Sequence, residues 1–126
     1  MKKRPTLVIA LLASCTISAF STGMVRAQTA LPAFTIVEVE VIDPTGFEEF
    51  AKRNGAGVAA AGGRFIARRG RIAASAGTPP RGVSVIAWDS FEKATGYFDS
   101  PAFKALIPLR DKTARVRVFH VEGLAK

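Results

Sequence analysis

The chain has 126 residues, of which 48% are hydrophobic, and a formal net charge of +8. This length is enough for one domain with a small core. The single cysteine, Cys15, excludes an intrachain disulfide and a cysteine-rich metal site. Four of the 18 basic residues lie in the first 27 positions, so the remaining 99 residues would carry only +4. We therefore expect no nucleic-acid partner.

The first 27 residues have the order of a secretory signal peptide. Residues 2–4 are basic, residues 7–20 are uncharged and mostly apolar, and small residues at the −3 and −1 positions predict cleavage before Gln28. The apolar run is shorter than the ~20 residues of a spanning helix. We expect a periplasmic or secreted protein without a membrane span. Residues 12–15 also resemble a lipobox, so the alternative is a lipoprotein anchored at Cys15.

A short leader at residues 28–33 precedes one predicted domain at residues 34–124. The domain begins with a strand at residues 34–42, where β-branched side chains alternate with period two. Asp43 and Pro44 then predict a helix start, because aspartate caps free amides and proline fits the first helical position.

An apolar stripe identifies the buried side of this first helix. The stripe consists of Phe47, Phe50, Ala51 and Val58. Gly55 and Gly57 weaken the helix by ~1 kcal/mol each relative to alanine. They either allow a close contact with the sheet or let the helix bend. Gly62 and Gly63 predict the end of the helix.

A second strand is predicted at residues 64–69 and a third at residues 82–88, joined by a turn-rich, mobile connection at residues 70–81. In the second strand, simple alternation places Phe65 on the face opposite to Arg68.

The last third of the domain contains a broken helix and a final strand. Asp89, with Glu92 three residues later, predicts a capping box for a helix that runs to about residue 99. Ser100 and Pro101 start a further helical segment, which should kink at Pro108 because proline cannot donate to the preceding turn. The final strand is predicted at residues 115–121.

The element order is therefore β-α-β-β-α-β, with the second helix broken. It predicts an α+β, ferredoxin-like βαββαβ fold with one antiparallel sheet and the helices on one face.

No sequence motif points to a reaction. There is no glycine-rich phosphate loop, HExxH pair, CxxC or GxSxG. With one histidine and no cysteine after cleavage, we expect neither a metal site nor a cofactor. His120 is the one side chain expected to titrate near neutral pH. His120 and Tyr97 are the candidates for proton exchange, but the catalytic residues remain unknown, and the sequence does not decide whether the protein is an enzyme.

Five residues form the hypothesised ligand site: Arg68, Trp88, Tyr97, Arg110 and His120. Arg68 or Arg110 would hold a small organic anion such as a carboxylate or phenolate, and Trp88 would pack against its ring. A plain structural role is the alternative for each residue. Trp88 fits a core or an interface, His120 a strand position satisfied by a neighbour, and Arg110 a solvated helix surface.

Two further groups of charged residues have structural interpretations. Asp89 is expected to cap a helix. The basic cluster beside Phe65 is expected to pair with glutamates of the first strand, Glu38 and Glu40, rather than to bind nucleic acid. The members of this cluster are Arg64, Arg68, Arg69 and Arg71.

Six short motifs occur together along the chain. They are Asp43-Pro44 with Phe47, Gly62-Gly63-Arg64-Phe65, Ser90-Phe91 with Tyr97-Phe98, Ser100-Pro101, Pro108-Leu109-Arg110, and Val121-Glu122-Gly123. In combination they resemble the family known as domain of unknown function 1330. The chain departs from that family pattern at Ala61, where a histidine is frequent, and at Ala87 and Trp88, where an acidic residue and a phenylalanine are frequent.

The resemblance implies ferredoxin-like subunits that pair sheet to sheet into a dimeric α+β barrel, with small ligands held between sheet and helices. It implies no reaction and no catalytic residue. Two hypotheses follow. The first is an exported homodimer that binds a small molecule and acts, if it is an enzyme, on a small organic substrate. The alternative is a non-catalytic periplasmic interaction module without a ligand of its own.

Overall fold

The computed structural model describes Lys2 and residues 29–126. The predicted signal peptide, apart from Lys2, and the lipobox with Cys15 therefore lie outside the described residues. The strands of the described part are β1 (Ala33–Val41), β2 (Arg64–Arg68), β3 (Val83–Trp88) and β4 (Ala114–Glu122). Its helices are α1 (Pro44–Ala60), α2 (Phe91–Phe98), α3 (Pro101–Lys104) and α4 (Ile107–Thr113).

The strands form one antiparallel sheet in the order β2-β3-β1-β4. Together with the element order, this topology confirms the predicted ferredoxin-like α+β fold. The helices cover the face of β1 that carries Thr35 and Val39, which are 0% and 6% exposed. The opposite face is less covered among the described residues, and Phe119 and Val121 on β4 are 42% and 47% exposed there.

Both ends of α1 agree with the prediction. The Asp43 carboxylate accepts a hydrogen bond from the backbone amide of Gly46 at 3.3 Å, and Pro44 opens the helix. Gly62 follows the helix with a φ of +89°, a left-handed conformation that glycine adopts without steric cost.

The cap of α2 differs from the prediction. Ser90, not Asp89, is the N-cap, and its hydroxyl accepts from the backbone amide of Lys93 at 3.1 Å. The Asp89 carboxylate lies outside the helix and forms exposed ion pairs with Arg64 at 3.7 Å and with Lys93 at 3.5 Å. The Ser90 hydroxyl lies one residue closer to the helix and accepts from its free amide. The Asp89 carboxylate therefore stays exposed to solvent.

After residue 100, a two-residue turn at residues 105–106 separates the helical region into α3 and α4. Ser100 caps α3 as predicted, by accepting from the amide of Phe103. The hydrogen-bond pattern of an α-helix is interrupted at residues 105–106, although both residues keep right-handed helical dihedral angles, and Pro108 lies in the first turn of α4. Proline is tolerated there because the first amides of a helix have no intrahelical acceptor. The interruption lies in the turn from Lys104 to Pro108, where the proline has no N–H to donate to the Lys104 carbonyl.

The alternation predicted for the second strand is wrong at Arg68. The pairing register with β3 shifts between Phe65 and Ala67, so one extra residue is inserted at Ile66. A β-bulge of this kind re-aims the side chains that follow it. The Arg68 guanidinium consequently lies 4.3 Å above the Phe65 ring, on the same side of the sheet.

The predicted pairing of the basic cluster with β1 glutamates is also wrong. Glu38 pairs with Arg117 of β4 through two hydrogen bonds of 2.7 and 2.6 Å. The two residues are direct neighbours in the antiparallel register, whereas β2 lies at the far edge of the sheet. Strand order therefore decides which arginine reaches the glutamate. The hydrogen bonds from Arg117 lower the pKa of the Glu38 carboxyl.

Candidate functional site

A cavity lies between the helix-covered face of the sheet and the helices, and it is partly open to solvent. Its volume is about 50 Å³, enough for about three to five water molecules or one small polar group. Aromatic rings form much of its wall: Phe47, Phe50, Phe65, Phe98 and Phe103. Valines of β1 and β4 form its floor: Val37, Val39, Val116 and Val118.

Three arginines line this cavity, and no aspartate or glutamate of the described residues does so. Arg68 reaches the cavity because of the bulge in β2. Its guanidinium stacks on Phe65 and donates to the backbone carbonyl of Ala51 on α1 at 3.3 Å. Arg69 follows with a φ of +49°, and its guanidinium lies 5.6 Å from the centre of the Phe47 ring.

Arg110 approaches the cavity from α4. Its side chain is only 19% exposed, and its guanidinium lies 5.8 Å from the centre of the Phe103 ring. Its Nε donates to Asp111 Oδ1 at 2.8 Å, and its Nη2 lies 2.8 Å from the same oxygen in an ion pair. The Asp111 side chain is 59% exposed, and solvent weakens such a pair. An anion in the cavity would therefore meet a cation that is only partly neutralised.

Two uncharged polar side chains also line the cavity, Asn54 of α1 and Ser84 of β3. The hydroxyl of Tyr97 on α2 donates to Asn54 Oδ1 at 2.8 Å and lies 3.3 Å from the backbone carbonyl of the same residue. Tyr97 is itself 5% exposed, and its burial raises the pKa of its phenol. Tyr97 therefore lies behind the cavity wall as a neutral hydrogen-bond donor.

Trp88 and His120 belong to a separate buried chain of hydrogen bonds. Trp88 Nε1 donates to Thr35 Oγ1 at 2.9 Å, and the same oxygen lies 2.8 Å from His120 Nδ1. Indole is only a donor and a hydroxyl carries one proton. Thr35 Oγ1 therefore accepts from Trp88. It donates to His120 Nδ1 when the imidazole proton is on Nε2, and it accepts a second hydrogen bond when that proton is on Nδ1.

Aromatic rings surround His120 on the helix side. The ring of Phe98 lies 5.0 Å away and that of Phe91 lies 6.4 Å away, both in edge-on geometry. Burial lowers the pKa of His120 below its ordinary value of 6.5, although the negative charge of Asp99 opposes part of this shift. The site thus favours the neutral imidazole.

The structure divides the five residues of the hypothesised ligand site. Arg68 and Arg110 line one cavity, whereas the other three lie outside its lining. Trp88 is 1% exposed and fills the core. Tyr97 touches the cavity only through its hydrogen bond to Asn54, and His120 lies towards the end of β1 that carries Thr35.

Among the polar lining residues, sequence reasoning missed three: Asn54, Arg69 and Ser84. A signal for Asn54 was present, because it continues the helical spacing of Phe47, Phe50 and Ala51 as a polar residue in an apolar stripe. Arg69 was recognised only as a member of a basic cluster.

Searches for two other kinds of site gave negative results. Within Lys2 and residues 29–126, no group of three or more histidine, cysteine, aspartate or glutamate side chains could hold a metal ion. No helix of this part of the chain is both long and apolar enough to cross a membrane.

The chain belongs to the family described as Domain of unknown function (DUF1330), whose model matches residues 32–124. Comparison with curated protein sequences gave no significant match. Among solved structures, a protein of unknown function from Rhodopseudomonas palustris is similar, with a TM-score of 0.61 and 12% identity over 76% of this chain and 85% of that chain.

A second similar structure is SnoaB, a cofactor-independent oxygenase from Streptomyces nogalater. Its TM-score is 0.55 and its identity 14%, over 77% of this chain and 97% of that chain. At this identity the similarity shows a common fold and nothing further about function.

Proposed function

We propose that this DUF1330 protein binds a small organic anion in the cavity between its sheet and its helices. The observation that carries the proposal is the composition of the cavity wall, in which three arginines and five phenylalanines occur without a single carboxylate. Such a wall attracts a negative charge and an apolar body at once. Arg68 and Arg110 would hold the anion, as the sequence hypothesis supposed.

The apolar surroundings strengthen this preference. Charges interact more strongly where water is excluded, because the effective dielectric constant is lower. Arg110 is only 19% exposed and lies beside Phe103, so a carboxylate there would meet its guanidinium away from bulk water. The ligand would be small, since most pockets for drug-sized molecules have volumes of ~300–1,000 Å³. The free cavity has about 50 Å³.

Binding, rather than acid–base catalysis, is the function that this cavity supports. Its polar lining consists of arginines, Asn54 and Ser84, and none of these side chains exchanges protons readily near neutral pH. His120 and Tyr97, the candidates for proton exchange, do not line it. A reaction on the ligand would need the ligand to extend towards one of these two residues.

The test measures binding of three small monocarboxylates, benzoate, phenylacetate and hexanoate, by NMR titration of the mature protein. We expect saturable shifts at cavity residues for at least one anion, and an affinity about tenfold or more lower in Arg110→Ala, since a hydrogen bond to a charged group contributes ~1.5–3 kcal/mol. The matched control is Lys112→Ala, an exposed cation of the same helix that does not line the cavity. Equal affinity in both variants would contradict the proposal.

We also propose that the protein is a homodimer that pairs through the uncovered face of its sheet. Phe119 and Val121 expose apolar surface there. The same face carries glutamates on β1 and arginines on β4, such as Glu38 and Arg117. A second copy related by a twofold axis would present matching charges and apolar residues. Mass spectrometry of the native protein would report the number of subunits.

The proposed location is the periplasm or the extracellular space, because of the signal-peptide pattern at residues 1–27. The intact mass of the purified protein tests this directly. A chain that begins at Gln28 would support cleavage by signal peptidase, whereas a lipid-modified chain that begins at Cys15 would support the lipoprotein alternative. A full-length chain would contradict both.

The alternative function is a non-catalytic interaction module. The small free volume of the cavity favours it, since side chains already occupy most of the space. This alternative predicts that none of the three carboxylates binds and that the native protein carries no small molecule.

A further inference from the structure

The side chain of Asn54 in the cavity wall is held by a hydrogen bond from a second helix, α2. It projects from α1 in line with Phe50 and Ala51, both of which also line the cavity. It is the only asparagine of the chain, and Gln28 is the only glutamine. A lone amide in an apolar stripe needs a hydrogen-bond partner, because burial of an unpaired polar group is unfavourable.

Tyr97 supplies that partner and thereby orients the amide. Its hydroxyl carries one proton, and its distance to Asn54 Oδ1 is 2.8 Å, against 3.3 Å to the backbone carbonyl. The shorter contact identifies Oδ1 as the main acceptor. The Nδ2 group, with its two donor protons, is then on the other side of the amide. No described residue accepts a hydrogen bond from it, and no buried side-chain nitrogen or oxygen of the described residues lacks a partner.

The contact between Tyr97 and Asn54 depends on a glycine of α1. A Cβ atom at Gly57 would lie 2.5 Å from the Tyr97 hydroxyl oxygen and 3.0 Å from Cε2. Any larger residue would push the ring away from the helix. Gly57 therefore allows the phenol to lie against α1 and to reach the side chain of Asn54, one turn earlier.

We infer that Asn54 is a ligand-binding residue that selects for a hydrogen-bond acceptor on the anion, and that Tyr97 is a positioning residue that holds its Nδ2 donor towards the cavity. The inference rests on the proposed function and narrows its ligand class to small carboxylates with an apolar body. One carboxylate oxygen would accept from Asn54 Nδ2. The other would accept from a guanidinium, that of Arg68 or Arg110. Carboxylates suit this arrangement because each of their two oxygens accepts hydrogen bonds.

The chain offers an unusually direct test. A ¹⁵N spectrum of the mature protein should contain at most two pairs of side-chain amide signals, one from Asn54 and one from Gln28 in those chains whose N-terminal glutamine has not cyclised to pyroglutamate. Titration with benzoate is expected to shift the Asn54 pair and to leave the Gln28 pair unchanged. Asn54→Leu, which keeps the side-chain size but removes the donor, assigns the signals. It should weaken benzoate binding about tenfold.

Tyr97→Phe tests the positioning role, because it removes only the hydroxyl. Without ligand, it should shift the Asn54 side-chain signals. It should also weaken benzoate binding in the wild-type background but not in the Asn54→Leu background, since the effects of coupled residues are not additive. A role of Tyr97 in packing alone would lower the affinity equally in both backgrounds and would overturn this part of the inference. Should Tyr97→Phe fail to fold, Asn54→Leu and the wild-type titration still decide the role of Asn54.

Failure of this inference can be separated from failure of the proposed function. Benzoate binding that depends on Arg110 but is unchanged in Asn54→Leu would overturn the role of Asn54 and leave the anion site intact. No shift at any cavity residue with benzoate, phenylacetate or hexanoate would overturn both. Both would be supported if Asn54→Leu lowers the affinity for benzoate and if, of the side-chain amide signals of the wild type, benzoate shifts only the Asn54 pair.

Discussion

The indole Nε1 of Trp88 donates a hydrogen bond to Thr35 Oγ1 at 2.9 Å inside the core, where the two residues are 1% and 0% exposed. Thr35 lies on β1 and Trp88 on the neighbouring β3. The threonine hydroxyl also reaches His120 on β4 at 2.8 Å. One hydroxyl thus connects the three strands β3, β1 and β4, and it contacts one buried polar group, the Trp88 N–H, and one partly buried group, His120 Nδ1.

Thr35→Val is expected to lower the free energy of unfolding by about 1–3 kcal/mol, because it leaves the Trp88 N–H without its acceptor in the core. Thr35→Ser is the matched control, since it keeps the hydroxyl and should cost about 1 kcal/mol for the lost methyl group. Urea denaturation of the three proteins measures the difference. Equal stability of the valine variant and the wild type would show that the hydrogen bond contributes no net stability.

Stability should depend on pH through His120. Burial lowers its pKa in the folded protein below the ordinary 6.5, so the unfolded chain binds the proton more readily. Stability should therefore be highest above pH 6.5 and should fall as the pH drops from 6.5 towards the folded pKa. Denaturation at pH 7.5 and 5.5, above the usual range of the carboxyl groups, measures this decrease. His120→Gln should show a smaller decrease, and an equal one would assign the effect to other groups.

Gly57→Ala should destabilise the protein, although alanine is normally the better helix former by ~1 kcal/mol. The new Cβ would lie 2.5 Å from the Tyr97 hydroxyl oxygen, and overpacking of this kind typically costs ~1–3 kcal/mol. Gly96→Ala on α2 is the control, because no heavy atom of the described residues, apart from its chain neighbours and the backbone of α2, lies within 4 Å of its Cβ position. It should leave stability unchanged or raise it. A stabilised Gly57→Ala variant would mean that Tyr97 moves aside at little cost.

Phe119→Glu tests the proposed dimer. The residue is 42% exposed on the uncovered face of the sheet, and a charge there should oppose burial against a second copy. We expect native mass spectrometry or light scattering to show dimers for the wild type and monomers for the variant. Leu124→Glu, at an 88% exposed position near the C-terminus, should remain dimeric. A wild-type monomer would contradict the proposed assembly outright.

Most of the fold could be predicted because its signals are local. Period-two alternation correctly predicted a strand at β1, and the pair Asp43-Pro44 correctly marked the start of α1. These patterns depend on neighbours within one turn or one pleat. The cap of α2 was assigned one residue too early, since both Asp89 and Ser90 are suitable capping residues by type.

The site could be predicted only in part. Arg68 was chosen for its charge, but simple alternation placed it on the wrong face of β2. The local sequence pattern did not predict the bulge at Ile66. Trp88 and His120 were chosen for their chemistry, yet their hydrogen bonds to Thr35 place them in a separate buried chain. The chemical type of a residue does not state which partner it will meet.

The amino-acid sequence by itself determined the order of the elements, the start of α1 and, through that order, the fold class. Each of these follows from spacing and composition over a few residues. Only the tertiary structure decided which side chains share the cavity. Asn54 and Tyr97 are 43 positions apart, and Arg68 and Arg110 approach from different elements. These contacts depend on the strand order, on the bulge in β2 and on the missing side chain at Gly57, which leaves room for the Tyr97 ring. All three are properties of the packed chain.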